Sequence, residues 1–130
     1  MKRIVKLMAM FLAVVCFAVS AAATVAIEPF TANGHLLDLT FSGTTANCNL
    51  TITGSPGTTK IDNVNITLRN DTTGQNVRTW TNLSANGATF RWTGTASPVT
   101  VGHTYTLSFT ATVHRNGVAT PVSGQITRTR

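Results

Sequence analysis

Charge is scarce in this chain. Of its 130 residues only 11% are Asp, Glu, Lys or Arg, and just four are acidic; there are two cysteines, four prolines and one tyrosine. Two cysteines cannot make a disulfide framework. The few carboxylates show no pair at a spacing that suggests general acid and base work. The length allows one small domain and excludes a multidomain enzyme.

The formal charge of +6 overstates the basic character, because Lys2, Arg3 and Lys6 open the chain. Behind them runs an apolar stretch, Leu7 to Val19, and then Ala21-Ala22-Ala23, a small-residue pattern that signal peptidase accepts. Residues 1–23 therefore read as a helical secretory signal peptide, 24–33 as a linker and 34–130 as the domain. The alternatives are an uncleaved anchor, since Leu7 to Ile27 is long enough to span a bilayer, and a lipoprotein, which Val15 before Cys16 disfavours. On the first reading the mature chain is secreted and meets a membrane only before cleavage. Its seven basic residues stand singly against Glu28, Asp38, Asp62 and Asp71. Without a clustered basic stripe, nucleic acid is not an expected partner.

Cleavage removes Cys16 and leaves Cys48 alone, in phase with the apolar side of Ala46 to Ile52. It reads as a small buried hydrophobe; a nucleophilic thiol would want a nearby His and an electropositive pocket.

What the chain has in plenty is threonine, 25 residues, all after position 23. Threonine is β-branched and suits a half-exposed pleated surface. Tyr105 to Val113 alternates strictly, with Ser or Thr at every even position, as a half-buried antiparallel strand would. Shorter alternating runs lie at Leu37–Phe41, Ala46–Ile52, Val64–Leu68 and Ala88–Trp92. Weaker ones lie at Val77–Thr81 and Val118–Arg128, where Pro121 suits an edge strand or a bulge. Gly-, Asn- and Pro-containing turns separate them, and Asn116-Gly117 is the strongest hairpin signal. About seven short strands at nearly regular spacing predict an all-β, antiparallel two-sheet sandwich.

Val101-Gly102-His-Thr-Tyr105-Thr-Leu107 resembles the tyrosine corner of immunoglobulin-like domains, in which a Tyr near the start of the sixth strand bonds back to the preceding loop. That resemblance makes Gly102 and Tyr105 structural. It also puts Cys48 and Leu107 at the positions of the usual cysteine pair, so a core disulfide is not expected, and the third strand lacks the family's Trp. The chain also resembles small secreted single-domain proteins of Gram-positive bacteria, largely uncharacterised, through its signal peptide, Gly57-Thr-Thr-Lys60-Ile61, and Trp80 soon after a polar turn. This implies an extracellular location and no particular activity.

No catalytic residue, metal site or cofactor is expected. His103 and His114 bracket one strand, which puts them roughly 36 Å apart at about 3.3 Å per residue, and His35 can meet only one of them. The candidate ligand-binding residues are Arg78 and Trp80. Alternation puts them on one side, opposite Val77, where an exposed Arg-Trp pair could stack on a sugar or anchor a protein contact; the structural alternative packs Trp80 over the sandwich edge. Trp92 shares its side with Phe90 and Ala88 and reads as core. Repeated Thr-x-Thr pairs suggest ice binding, but their irregular spacing gives no solenoid to stack them. Lys60 could enter an isopeptide bond, though no motif supports one. Sequons at Asn49, Asn65, Asn70 and Asn82 matter only in a eukaryotic host. The sequence thus reads as a secreted, non-enzymatic binding module for a glycan or surface protein. The alternative is a self-assembling surface subunit whose edge strands pair between copies.

Overall fold

A computed structural model of the chain describes residues 33–130. Residues 1–23, read as a signal peptide, nearly all of the expected linker 24–33, and Cys16 lie outside the described residues. Seven antiparallel strands follow one another: β1 (Gly34–Ser42), β2 (Thr45–Thr53), β3 (Thr58–Asn70), β4 (Gln75–Asn86), β5 (Thr89–Ala96), β6 (Thr104–Arg115) and β7 (Val118–Thr129). They form two sheets, β1-β2-β5 and β4-β3-β6-β7, which is the all-β sandwich the periodicity predicts.

The core follows from alternation. β2 buries Ala46, Cys48, Leu50 and Ile52; β6 buries Tyr105, Leu107, Phe109, Ala111 and Val113. Their hydroxyl and amide neighbours face outward, so one strand satisfies both the apolar interior and water. Cys48 and Leu107 are both core residues, as the immunoglobulin resemblance implies, and the thiol is free. Burial pushes its pKa from 9.0 up to about 11, because the thiolate has lost its hydration.

The strands depart from strict alternation at bulges, and there the structure extends beyond the sequence expectations. In β3, Ile61 and Val64 are both buried although three residues apart. An extra residue is accommodated around Asn63, which takes φ 49°, and the register against both neighbours shifts there. In β4 the residues that pack on the core are Val77, Trp80, Leu83 and Ala85. Register shifts bracket Val77 and Asn82, and Asn82 (φ 58°) donates its backbone N–H to Asn65 Oδ1 at 3.0 Å. β4 is therefore a full edge strand of 12 residues, longer than the Val77–Thr81 run.

β7 occupies the other edge of that sheet and carries Pro121, the position where a missing N–H breaks no ladder. Asn116 and Gly117 both have positive φ, 52° and 75°, in the two-residue turn between β6 and β7. That hairpin register brings two of the Thr-x-Thr pairs side by side: the hydroxyls of Thr104 and Thr129, and of Thr106 and Thr127, are 2.9 Å apart.

Candidate functional site

Two places on the sandwich gather side chains of functional interest. The first is the gap between edge strands β4 and β5, where the sequence candidates Arg78 and Trp80 lie. They share one side, as alternation says. That side faces the opposite sheet, since Trp80 pairs across β3 with buried Ile66 and packs half-buried on the core. Val77, expected on the other side, also turns inward because of the bulge.

Trp80 meets Trp92 edge to face, with centroids 4.7 Å apart. The Arg78 guanidinium lies over the Trp80 ring at 5.0 Å, a cation–π contact. Its Nη1 donates to the Thr95 carbonyl of β5 at 2.9 Å. Both candidate residues are thus engaged within the molecule, tying one sheet edge to the other. Trp92 also packs on the core, in keeping with its shared side with Phe90.

Gly94 makes that pairing fit, because the Trp92 indole lies across it. A Cβ at position 94 would fall against Trp92 Cζ2 and 2.7 Å from Cη2. Gly94→Ala is expected to cost about 1–3 kcal/mol, as overpacking does. It would also alter the fluorescence of the only two tryptophans. Denaturant unfolding followed by tryptophan emission checks both effects; an unchanged spectrum and midpoint would mean that the indole moves aside freely.

The second place is one end of the sandwich, where the β3–β4 turn meets the β5–β6 loop. The single tyrosine organises it. Tyr105, the second residue of β6, has its ring buried, and its hydroxyl accepts the Thr100 N–H at 2.7 Å. This is the tyrosine corner expected from residues 101–107, and it holds the 97–103 loop against the sheet end. Gly102 in that loop takes φ 87°, a conformation that favours glycine. Its N–H donates to the Arg130 carbonyl at 2.7 Å.

Asn70, the last residue of β3, is a buried polar residue with a partner for each end of its amide. Its Oδ1 accepts the N–H groups of Thr72 at 3.0 Å and Thr73 at 3.2 Å, which folds the Asn70-Asp-Thr-Thr-Gly74 turn. Its Nδ2 lies 3.0 Å from His103 Nδ1 and 3.4 Å from the Tyr105 hydroxyl.

Between the turn and the loop is an open cavity of about 320 Å³. Its polar wall comes from Asn70, Thr73, Gln75, Asn76, Ser97, Thr100 and His103, and Val77 and Pro98 add apolar surface. None of its lining residues is Asp, Glu, Lys or Arg. No sequence pattern singled out Gln75 or Asn76, and Asn70 was marked only as a turn residue and a sequon. The Asn-Asp-Thr-Thr-Gly turn and the tyrosine corner were both visible, and what was missing was that they share one end of the sandwich.

The three histidines lie apart. His35 packs on Phe109 with ring centroids 5.1 Å apart, His103 is beside Asn70, and His114 Nε2 is 2.8 Å from Asp62 Oδ1. Among the described residues, no three His, Cys, Asp or Glu side chains come together as a metal site would need. The hydrogen bond from His114, helped by Lys60 at 3.3 Å, holds the Asp62 carboxyl below the usual carboxylate range. Lys60 is half-exposed in this pair, a surface contact of small energetic weight.

No protein-family model matches the chain, and no curated protein does so either. Among solved structures, similarity extends to β-glucuronidase 2 of Bacteroides uniformis, at 13% identity and a TM-score of 0.48 over 74% of this chain. A second is Spo0M, a sporulation control protein of Bacillus subtilis, at 13% identity and a TM-score of 0.44 over 73% of this chain. The chain spans 13% of the length of the first and 48% of the second.

Proposed function

We propose that the chain is an exported, non-enzymatic binding module acting at or beyond the cell surface, and that it takes its ligand, a glycan or a surface protein, at the turn-bearing end of the sandwich. The observation that carries this reading is the cavity of about 320 Å³ at that end. It is more polar than the apolar-lined pockets usual for small molecules, gathering neutral side chains that donate and accept hydrogen bonds around two apolar ones, as a hydroxyl- or amide-rich ligand would need. Export is inferred from the basic, apolar and small-residue order of residues 1–23. A non-catalytic role accords with the engagement of two carboxylates: Asp62 is held by His114 and Lys60, and Asp71 pairs with Arg69 at 3.5 Å. Arg78 and Trp80 enter the reading as the brace between β4 and β5 beside this end.

The test is a screen of the full chain, expressed in an export-competent host, against glycans, cell-wall polysaccharides and surface-protein extracts. Gln75→Ala/Asn76→Ala and Trp80→Ala variants of verified folding run beside it. Binding lost in the double variant and kept in Trp80→Ala supports the end site; loss in Trp80→Ala alone would move the site to the β4–β5 edge. No ligand, together with concentration-dependent sedimentation, would replace the module with a self-assembling subunit.

A further inference from the structure

We propose that the end cavity is a site for one neutral saccharide unit, with His103 presenting Nε2–H as a fixed hydrogen-bond donor. This inference rests on the binding-module reading and specifies its ligand.

The tautomer follows from the hydrogen bonds around Asn70. An amide oxygen only accepts, and Asn70 Oδ1 is identified by the two backbone N–H groups of Thr72 and Thr73 pointing at it. Nδ2 is then the end that faces His103, and an amide nitrogen only donates. His103 Nδ1, 3.0 Å away, must therefore offer a lone pair. The proton of the neutral ring is left on Nε2, which has no protein partner among the described residues. The backbone of one turn thus dictates, through a buried amide, which imidazole nitrogen donates.

Asn70 and Thr73 are engaged in the turn, and four other polar side chains of the wall are as uncommitted as His103 Nε2. The side chains of Gln75, Asn76, Ser97 and Thr100 make no hydrogen bond among the described residues, although each lines the cavity. Amides and hydroxyls both donate and accept, as do the alcohols of a sugar ring. Anions and cations find no opposite charge on this wall, and a divalent metal finds no carboxylate or thiolate. Val77 and Pro98 supply apolar surface for the C–H face of a ring. The volume lies at the small end of ligand cavities, which suits one ring, or the end of a chain, better than a long segment. Asn70 and Tyr105 hold the two walls before any ligand arrives, so little ordering is left for binding to bring about.

The experiment is nitrogen-15 NMR on the full chain, purified as its export host yields it. Long-range spectra of the imidazoles at neutral pH give the tautomer of each histidine, and His103→Gln assigns the His103 signals by their disappearance. The panel contains neutral mono- and disaccharides, with glucuronate, a sulfated sugar and inorganic phosphate as charged probes. His103 is expected as the Nε2–H form. At least one neutral saccharide should shift that signal together with the side-chain amides of Gln75 and Asn76. Asn76→Ala, on an exposed side chain, should weaken the binding about tenfold, the effect of losing one hydrogen bond.

Four results would overturn the proposal: an Nδ1–H tautomer; shifts from charged probes alone; unchanged saccharide affinity in both Asn76→Ala and His103→Gln; or no shift from any probe. In each case the broader screen still decides separately whether the chain binds a glycan or protein elsewhere, so the two failures are distinguishable.

Discussion

Asn70→Ala is expected to lower the stability of the domain by about 3 kcal/mol, among the larger effects of removing a single polar side chain. The side chain is buried and serves both elements that meet at the sandwich end. Its oxygen satisfies the N–H groups of Thr72 and Thr73, and its nitrogen is within hydrogen-bond distance of His103 and the Tyr105 hydroxyl. Truncation removes the one side chain that joins the turn to the loop, leaving the Thr72 and Thr73 N–H groups to solvent and the His103 Nδ1 without its donor. In a domain of this size each kcal/mol moves the melting temperature by roughly 4–8 °C, so thermal unfolding followed by circular dichroism should shift by roughly 12–24 °C.

Asn70→Asp separates the two halves of the effect. It keeps an acceptor for Thr72 and Thr73 but turns an oxygen toward His103 Nδ1, and should fall between wild type and alanine at neutral pH. The backbone also holds the turn, through Gly74 N–H to the Asn70 carbonyl and Asp71 N–H to the Thr104 carbonyl, both at 2.8 Å. A shift smaller than about 1 kcal/mol for Asn70→Ala would mean that these two bonds suffice.

The same end of the molecule marks the boundary of what was legible in the sequence. Where a strand keeps period 2, as in Tyr105–Val113 and around Cys48, side-chain burial followed directly from alternation, and Pro121 correctly marked an edge. Where a bulge intervenes, period 2 fails locally. Ile61 and Val64 both enter the core, and Asn63 absorbs the mismatch, so residues 58–63 did not read as strand. The same effect shortened β4 in the sequence reading and turned Val77 inward beside the Arg78 and Trp80 side.

That inward turn matters for function. Trp80 was legible as a candidate because it is large and follows a polar turn, but sequence spacing says nothing about which sheet lies over it. The register opposite buried Ile66, with Arg78 reaching Thr95, makes the pair a brace across the sandwich. The end cavity was illegible for a different reason. Asn70 and His103 are 33 positions apart, and only the pairing of β3 with β6 brings them within 3.0 Å.

Alkaline destabilisation should be the second large effect, and it isolates Cys48. The thiol is 1% exposed, and its pKa rises from 9.0 to about 11 on folding because the thiolate would be buried without hydration. Well below pH 9 the thiol is protonated in both states and contributes nothing to the pH dependence. From pH 9 to about 11 the unfolded chain gives up the proton while the folded one keeps it. Since the folded state then binds more protons, stability falls as pH rises. Two pH units at about 1.4 kcal/mol each give a full loss of about 3 kcal/mol, of which about 2 kcal/mol has appeared by pH 11.

Other groups titrate in the same range, so the measurement is the difference between wild type and Cys48→Ala in urea unfolding at several pH values. The alanine variant starts lower, because it loses the packing of a buried sulfur, and its curve should fall less steeply above pH 9. The two curves should converge between pH 9 and about 11, cross in that window only if the packing loss is smaller than the ionisation effect, and run parallel above it. Curves parallel throughout that window would show that Cys48 ionises as readily folded as unfolded. That result would also remove the physical reason for treating this thiol as an inert core residue and would reopen its chemistry.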